Sequence, residues 1–126
     1  MKRREYLRNL DELGLDKDKY CIIAGGVMLM HGLKDDTDDI DIRVLPSYFE
    51  ELKSRFEFRK SSKYSYLYEL GDNIEVAVVE FSKDEVDYID GFPVLSLELE
   101  LAWKIENNRD KDKEAIIKIK EYLKRG

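Results

Sequence analysis

Two short runs of this chain carry residues that could act together: Ala24-Gly25-Gly26, and further on Thr37-Asp38-Asp39-Ile40-Asp41-Ile42. Glycines at a turn leave backbone N–H groups uncovered, and phosphate oxygens can be bound in that way. Asp39 and Asp41 are separated by one apolar residue. If Ile40 and Ile42 point into a core, strand alternation puts both carboxylates together on the opposite face. Such a pair suits a hard divalent cation, Mg²⁺ or Mn²⁺, which prefers oxygen ligands. Taken singly each run has an ordinary reading, a strand-to-helix turn and a solvated strand face. Asp35, Asp36 and Asp38 read as loop charges. An EF-hand is excluded because its glycine and its terminal glutamate are absent at the required spacing.

The elements that must position these residues follow from periodicity. Tyr6, Leu7, Leu10 and Leu13 recur at helical spacing and Gly14 stops them, which predicts a helix over Lys2 to Leu13. A strand follows from Tyr20 to Ala24, then the glycine turn, then a short buried helix through Val27, Met28, Leu29 and Met30 that ends near Gly32. Asp39 to Val44 is a second strand, and Pro46 with Ser47 opens a helix carrying Tyr48, Phe49 and Leu52. Strands are expected at Phe56 to Arg59, Tyr64 to Leu70 and Ile74 to Phe81. Gly71-Asp72-Asn73 turns the last two into a hairpin, and a weaker β segment spans Val86 to Leu95. From Ser96 the pattern is helical. Leu97, Leu101 and Ile105 share one face, which Leu99 and Trp103 extend, and a last helix packs Ile116, Ile117, Ile119 and Leu123. The order implies an α+β fold, a mixed sheet with helices mainly on one face and two helices at the C-terminal end. The other face is left open for chemistry.

The 126 residues are the size of one domain, so a single domain over 1–126 is expected. With 22 basic and 28 acidic side chains the formal charge is -6, which argues against capture of extended nucleic acid. The lone Cys21 sits in an apolar run, where a buried reduced thiol is the default and no intramolecular disulfide can form. The N-terminal charges interrupt any signal-peptide pattern, and no stretch approaches the roughly 20 apolar residues of a membrane span. The expectation is a soluble cytoplasmic protein.

The glycine pair, followed by two acids one apolar residue apart, resembles the signature of the DNA polymerase β-like nucleotidyltransferase superfamily, with Gly25, Gly26, Asp39 and Asp41 at the matching positions. The fuller string from Gly25 through His31-Gly32 to Thr37-Asp38-Asp39-Ile40-Asp41 looks most like its small bacterial branch, related to abortive-infection and lincosamide nucleotidyltransferases. Leu101-Ala102-Trp103-Lys104 and Arg109-Asp110-Lys111-Asp112 look like the C-terminal part of that branch.

This resemblance implies a nucleotidyltransferase fold and a metal-held nucleoside triphosphate whose α-phosphate is attacked by an acceptor hydroxyl. It implies Asp39 and Asp41 as catalytic metal ligands, and Gly25 and Gly26 as the turn on the triphosphate. It also implies a third carboxylate on a neighbouring strand. Glu75 fills that place, because Ile74, Val76 and Val78 facing the core would leave it on the face of Asp39 and Asp41. Lys104, Arg109 and Lys111 are candidates for neutralising phosphate. Each of these cations also has the plainer reading of solvating a helix. His31 reads as a helix-end hydrogen-bonding residue, outside the catalytic set. Trp103 and the tyrosines read as core or sheet-face residues, although Tyr64, Tyr66 or Tyr68 could stack on a base.

The expected function is therefore transfer of an NMP from an NTP to a hydroxyl on a small molecule, a protein or an RNA end. The alternative is a catalytically silent module of the same fold, a toxin-antitoxin or phage-defence component bound to a protein partner. A homodimer could complete the acceptor side of the cleft.

Overall fold

In the computed structural model, which describes residues 1–125, five helices and seven strands are built round one core. Helix α1 (Arg3–Glu12) buries Tyr6 and Leu10 and is stopped at Gly14, whose φ is +64°. Strand β1 (Tyr20–Ile22) is fully buried and includes Cys21, whose thiol burial pushes up to about 12. It is shorter than the sequence pattern suggests because the backbone turns sharply at Ala24. Helix α2 (Gly25–Met30) follows, then β2 (Ile40–Val44) and α3 (Pro46–Leu52) with proline in its first turn. The chain continues through β3 (Arg59–Lys60), β4 (Leu67–Leu70), β5 (Ile74–Val78), β6 (Val86–Ile89) and β7 (Phe92–Leu95). Helices α4 (Leu97–Asn107) and α5 (Lys113–Arg125) close it.

The sheet runs in the order β3-β4-β5-β2-β1-β7-β6. It is mixed: β2 pairs with β5 and β1 with β7 in parallel, and the remaining neighbours are antiparallel. Ile40, Ile42 and Val44 are buried while Asp41 and Arg43 between them are half-buried, so β2 alternates as its sequence does. All five helices feed the core that receives those isoleucines, through Tyr6 and Leu10, Val27 to Met30, Tyr48 with Phe49 and Leu52, Leu97, and Ile119. The weak segment from Val86 to Leu95 is a complete hairpin, turning at Asp90 and Gly91, both at positive φ.

Three expectations are corrected by packing. Phe56 and Phe58 do not extend β3; their rings pack as a cluster with Phe49 of α3, with Phe58 at 4.8 Å from it. Tyr64 and Tyr66 precede β4 rather than belong to it, and stack on each other at 5.3 Å. On α4 the buried positions are Leu97, Glu100 and Lys104, whereas Leu99 and Ile105 are exposed. Leu97 and Leu101 do face the core, but Glu100 and Lys104 share that face with them, and the helix is rolled so that Ile105 leaves it. Ile117 of α5 is likewise exposed, leaving Ile119 as its buried anchor. No helix among the described residues is long and apolar enough to cross a membrane.

Candidate active site

The glycine turn starts with a residue in an unusual conformation. Ala24 has φ 56° and ψ -129°, its carbonyl accepts from the Val27 N–H at 3.0 Å, and its N–H donates to Glu100 Oε1 at 2.9 Å. The two glycines that follow do different things. A Cβ on Gly26 would run into the Tyr6 hydroxyl and the Ile22 side chain, so this buried glycine lets α2 settle against α1 and β1. Gly25 lines the open cleft instead; a Cβ there would sit 3.0 Å from Thr37 Oγ1 and 3.6 Å from the Lys34 ammonium. Of the pair expected to meet phosphate, only Gly25 faces the space where phosphate could lie.

Asp39 precedes β2 and is exposed, and Asp41 is half-buried within it. Glu75 is the register partner of Asp41 in the parallel pairing with β5. The hydrogen bond from the Ile40 N–H to the Asn73 carbonyl at 2.8 Å fixes the start of β2 against the turn before β5. Asp41 and Glu75 thus lie side by side on two central strands, with Asp39 just before the start of β2.

Burial, then the charges of Glu75, Asp39 and Glu100, push Asp41 from an ordinary 3.8 up to about 6, with Lys63 opposing. Glu75 accepts from Lys63 Nζ at 3.3 Å. Among the described residues no three His, Cys, Asp or Glu side chains already converge as a metal-holding group. The donor set nevertheless fits a hard cation in type: all its atoms are carboxylate oxygens, and their mutual repulsion at Asp41 is what a bound dication would relieve.

A cleft of about 350 Å³ opens beside Asp39 and Asp41, lined by these two acids with Ala24 and Gly25 on one side and by Lys104, Arg109, Lys111, Glu114 and Lys118 on the other; Glu75 lies outside its lining. Lys104 is buried between Glu100 Oε2 at 3.2 Å and Asp112 Oδ1 at 3.5 Å. Arg109 donates to Asp112 Oδ2 at 2.6 Å, with its guanidinium over the Trp103 ring at 4.6 Å. Lys111, and Lys34 from the loop before β2, enter none of the ion pairs among the described residues. Lys34 and Glu100 lie outside the residues that the sequence pattern singles out, and Asp112 enters it only as the end of Arg109-Asp110-Lys111-Asp112. Lys34 carried no signal of its own, whereas Glu100 and Lys104 at i, i+4 beside Leu97 were a legible inward pair.

Over its whole length the chain superposes on TM1012, a candidate nucleotidyltransferase from Thermotoga maritima, with a TM-score of 0.66 at 23% identity and 97% of that chain covered. The chain has the nucleotidyltransferase fold. In that fold it also matches the antibiotic-resistance factor ANT(2'')-Ia, crystallised in complex with adenylyl-2''-tobramycin, at a TM-score of 0.58 and 17% identity over 95% of this chain and 86% of that one. The solution structure of ANT(2'')-Ia gives a TM-score of 0.59 at 19% identity, covering 95% of this chain and 81% of that one. No protein-family model and no curated protein sequence matches the chain.

Proposed function

We propose that the chain is a metal-dependent nucleotidyltransferase that moves an NMP from an NTP to an acceptor hydroxyl on a small molecule, a protein or an RNA end. The observation that carries this reading is the pair Asp39 and Asp41 on a cleft whose opposite wall carries Lys104, Arg109, Lys111 and Lys118, with Glu75 the register partner of Asp41 on β5. The adenylylated tobramycin held by ANT(2'')-Ia is the kind of product such a site would make.

Asp39, Asp41 and Glu75 would hold Mg²⁺ or Mn²⁺, which when bound supplies positive charge to the phosphates. Gly25 leaves room for the triphosphate at the cleft wall. Lys34, Lys111 and Arg109 offset its charge and the charge that grows on the leaving pyrophosphate. The acceptor oxygen forms a bond to the α-phosphorus as the bond to the β-phosphate oxygen breaks, and Glu75 takes the acceptor proton.

A second reading, a nucleotide-binding module without turnover, is favoured by one contact, the hold of Lys63 on Glu75. The deciding experiment incubates the purified chain with each α-labelled NTP, Mg²⁺ or Mn²⁺, and a panel of hydroxyl acceptors. Label transfer that disappears in D39N/D41N supports the enzyme. Nucleotide binding without transfer supports the silent module, and no NTP binding with either metal removes both.

A further inference from the structure

A buried chain of charges leads from the glycine turn to the cationic wall of the cleft. Glu100, Lys104 and Asp112 are 3%, 5% and 5% exposed. They alternate in sign, and Arg109 continues the alternation to the cleft surface. Charges so deep are costly unless each is paired, and apolar residues in their place usually serve stability as well or better. Apolar residues were at hand on α4, whose Leu99 and Ile105 lie exposed while Glu100 and Lys104 turn inward.

The end of this chain explains its placement. Among the described non-glycine residues, only Ala24, Asp90 and Asn108 have positive φ. Asn108, at ψ 45°, sits in the left-handed helical region that Asp and Asn tolerate through their short polar side chains; Ala24, at ψ -129°, lies outside it and has no such help. Ala24 is nevertheless held there, by Glu100 on its N–H and by Val27 on its carbonyl. The residue before it, Ile23, donates to the Asp41 carbonyl at 3.0 Å, and the residue after it is Gly25 on the cleft wall. A local conformation of this kind persists only where its surroundings over-determine it.

The geometry points to Glu100 as the positioning residue of the glycine turn: its buried carboxylate fixes the Ala24 N–H and so the direction in which Gly25 is presented to the cleft. Lys104, itself held by Asp112, orients that carboxylate through its contact with the other oxygen, Oε2. The role deepens the nucleotide-binding reading and rests on it for its consequence.

The test uses the full chain. E100M removes the acceptor at similar length, and E100Q keeps a carbonyl acceptor for Ala24 while removing the charge. Amide hydrogen exchange without nucleotide or metal reads the turn directly. Ala24 and Gly25 should exchange about tenfold faster in E100M while β2 and β5 amides hold, and E100Q should stay within about threefold of wild type. Affinity for NTP with Mg²⁺ should fall about tenfold in E100M and little in E100Q, the scale of one buried hydrogen bond that E100Q keeps.

Unchanged exchange at Ala24 and Gly25 in folded E100M overturns the assignment, and so does an equal loss in E100Q. If E100M does not fold, A24G/E100M decides, because glycine adopts the positive-φ conformation without the tether. Recovery of the fold supports the positioning role, and failure to recover assigns Glu100 to packing alone and overturns it. A wild-type chain that binds no NTP defeats the nucleotide reading, while hydrogen exchange still decides the role of Glu100.

Discussion

Asp41 and Glu75 are register partners across the parallel β2–β5 pair, on the sheet face turned away from Ile40, Ile42 and Val76. A parallel register places their side chains side by side, so one cannot be altered without changing the field at the other. Asp41→Asn and Glu75→Gln should each lower NMP transfer by at least about a hundredfold, the scale of removing a positioned acid or base. Glu75→Asp should fall between Glu75→Gln and wild type. Circular dichroism should show an intact cooperative fold in all three. Turnover near wild type in Glu75→Gln would refute the role of the third carboxylate.

Asp41 also makes the pH dependence of stability specific. Its carboxyl is raised from 3.8 to about 6, so between those values the folded chain holds a proton that the unfolded chain releases. The contribution of Asp41 is thus most favourable at the acid end and is lost as pH rises through about 6. Relative to Asp41→Asn, the metal-free wild type should lose on the order of 2 kcal/mol between about pH 4 and pH 7. Denaturant unfolding across that range measures it. A difference between the two proteins that does not vary with pH would show that Asp41 is not under this strain. Added Mg²⁺ should restore part of the loss at neutral pH by binding only the folded chain.

The strands and carboxylates were legible because their signal is local: alternation in Ile40-Asp41-Ile42 and Ile74-Glu75-Val76 states which face each acid takes. The glycine turn was legible as a turn, but not the division of labour within it, since that depends on Tyr6, contributed by α1. In the C-terminal helices the apolar pattern places Leu97, Leu101, Ile119 and Leu123 against the core but not Leu99, Ile105 or Ile117, because Glu100 and Lys104 take part of the inward face. Glu100 reaches Ala24, 76 residues away, from that face, and no periodicity encodes a contact of that range.

That division of labour is itself testable. Gly26→Ala forces a methyl into the Tyr6 hydroxyl, which has no hydrogen-bond partner among the described residues, and into Ile22. It should destabilise the fold by about 2–4 kcal/mol, at or above the usual range for overpacking. Gly25→Ala meets only Thr37 and Lys34 at the cleft wall. It should cost under about 1 kcal/mol in stability and weaken NTP binding about tenfold by crowding the site. Thermal melts paired with nucleotide titrations separate the two, and the reverse ordering would show that Gly26 is the phosphate-facing glycine.

Lys63 decides whether Glu75 is available. Its side chain is 62% exposed and reaches Glu75 at 3.3 Å, so as a surface ion pair it should contribute little to the fold. Lys63→Met should leave the unfolding free energy within about 0.5 kcal/mol of wild type. As a competitor for Glu75, however, Lys63 opposes a dication at the same carboxylate. Mn²⁺ affinity, measured by calorimetry on the nucleotide-free chain, should therefore rise about two- to fivefold in Lys63→Met, the equivalent of up to about 1 kcal/mol. Stronger Mn²⁺ binding with unchanged stability would identify Lys63 as a latch that the metal displaces. Weaker or unchanged binding would mean that Glu75 takes no part in holding the metal and that Asp39 and Asp41 act without it.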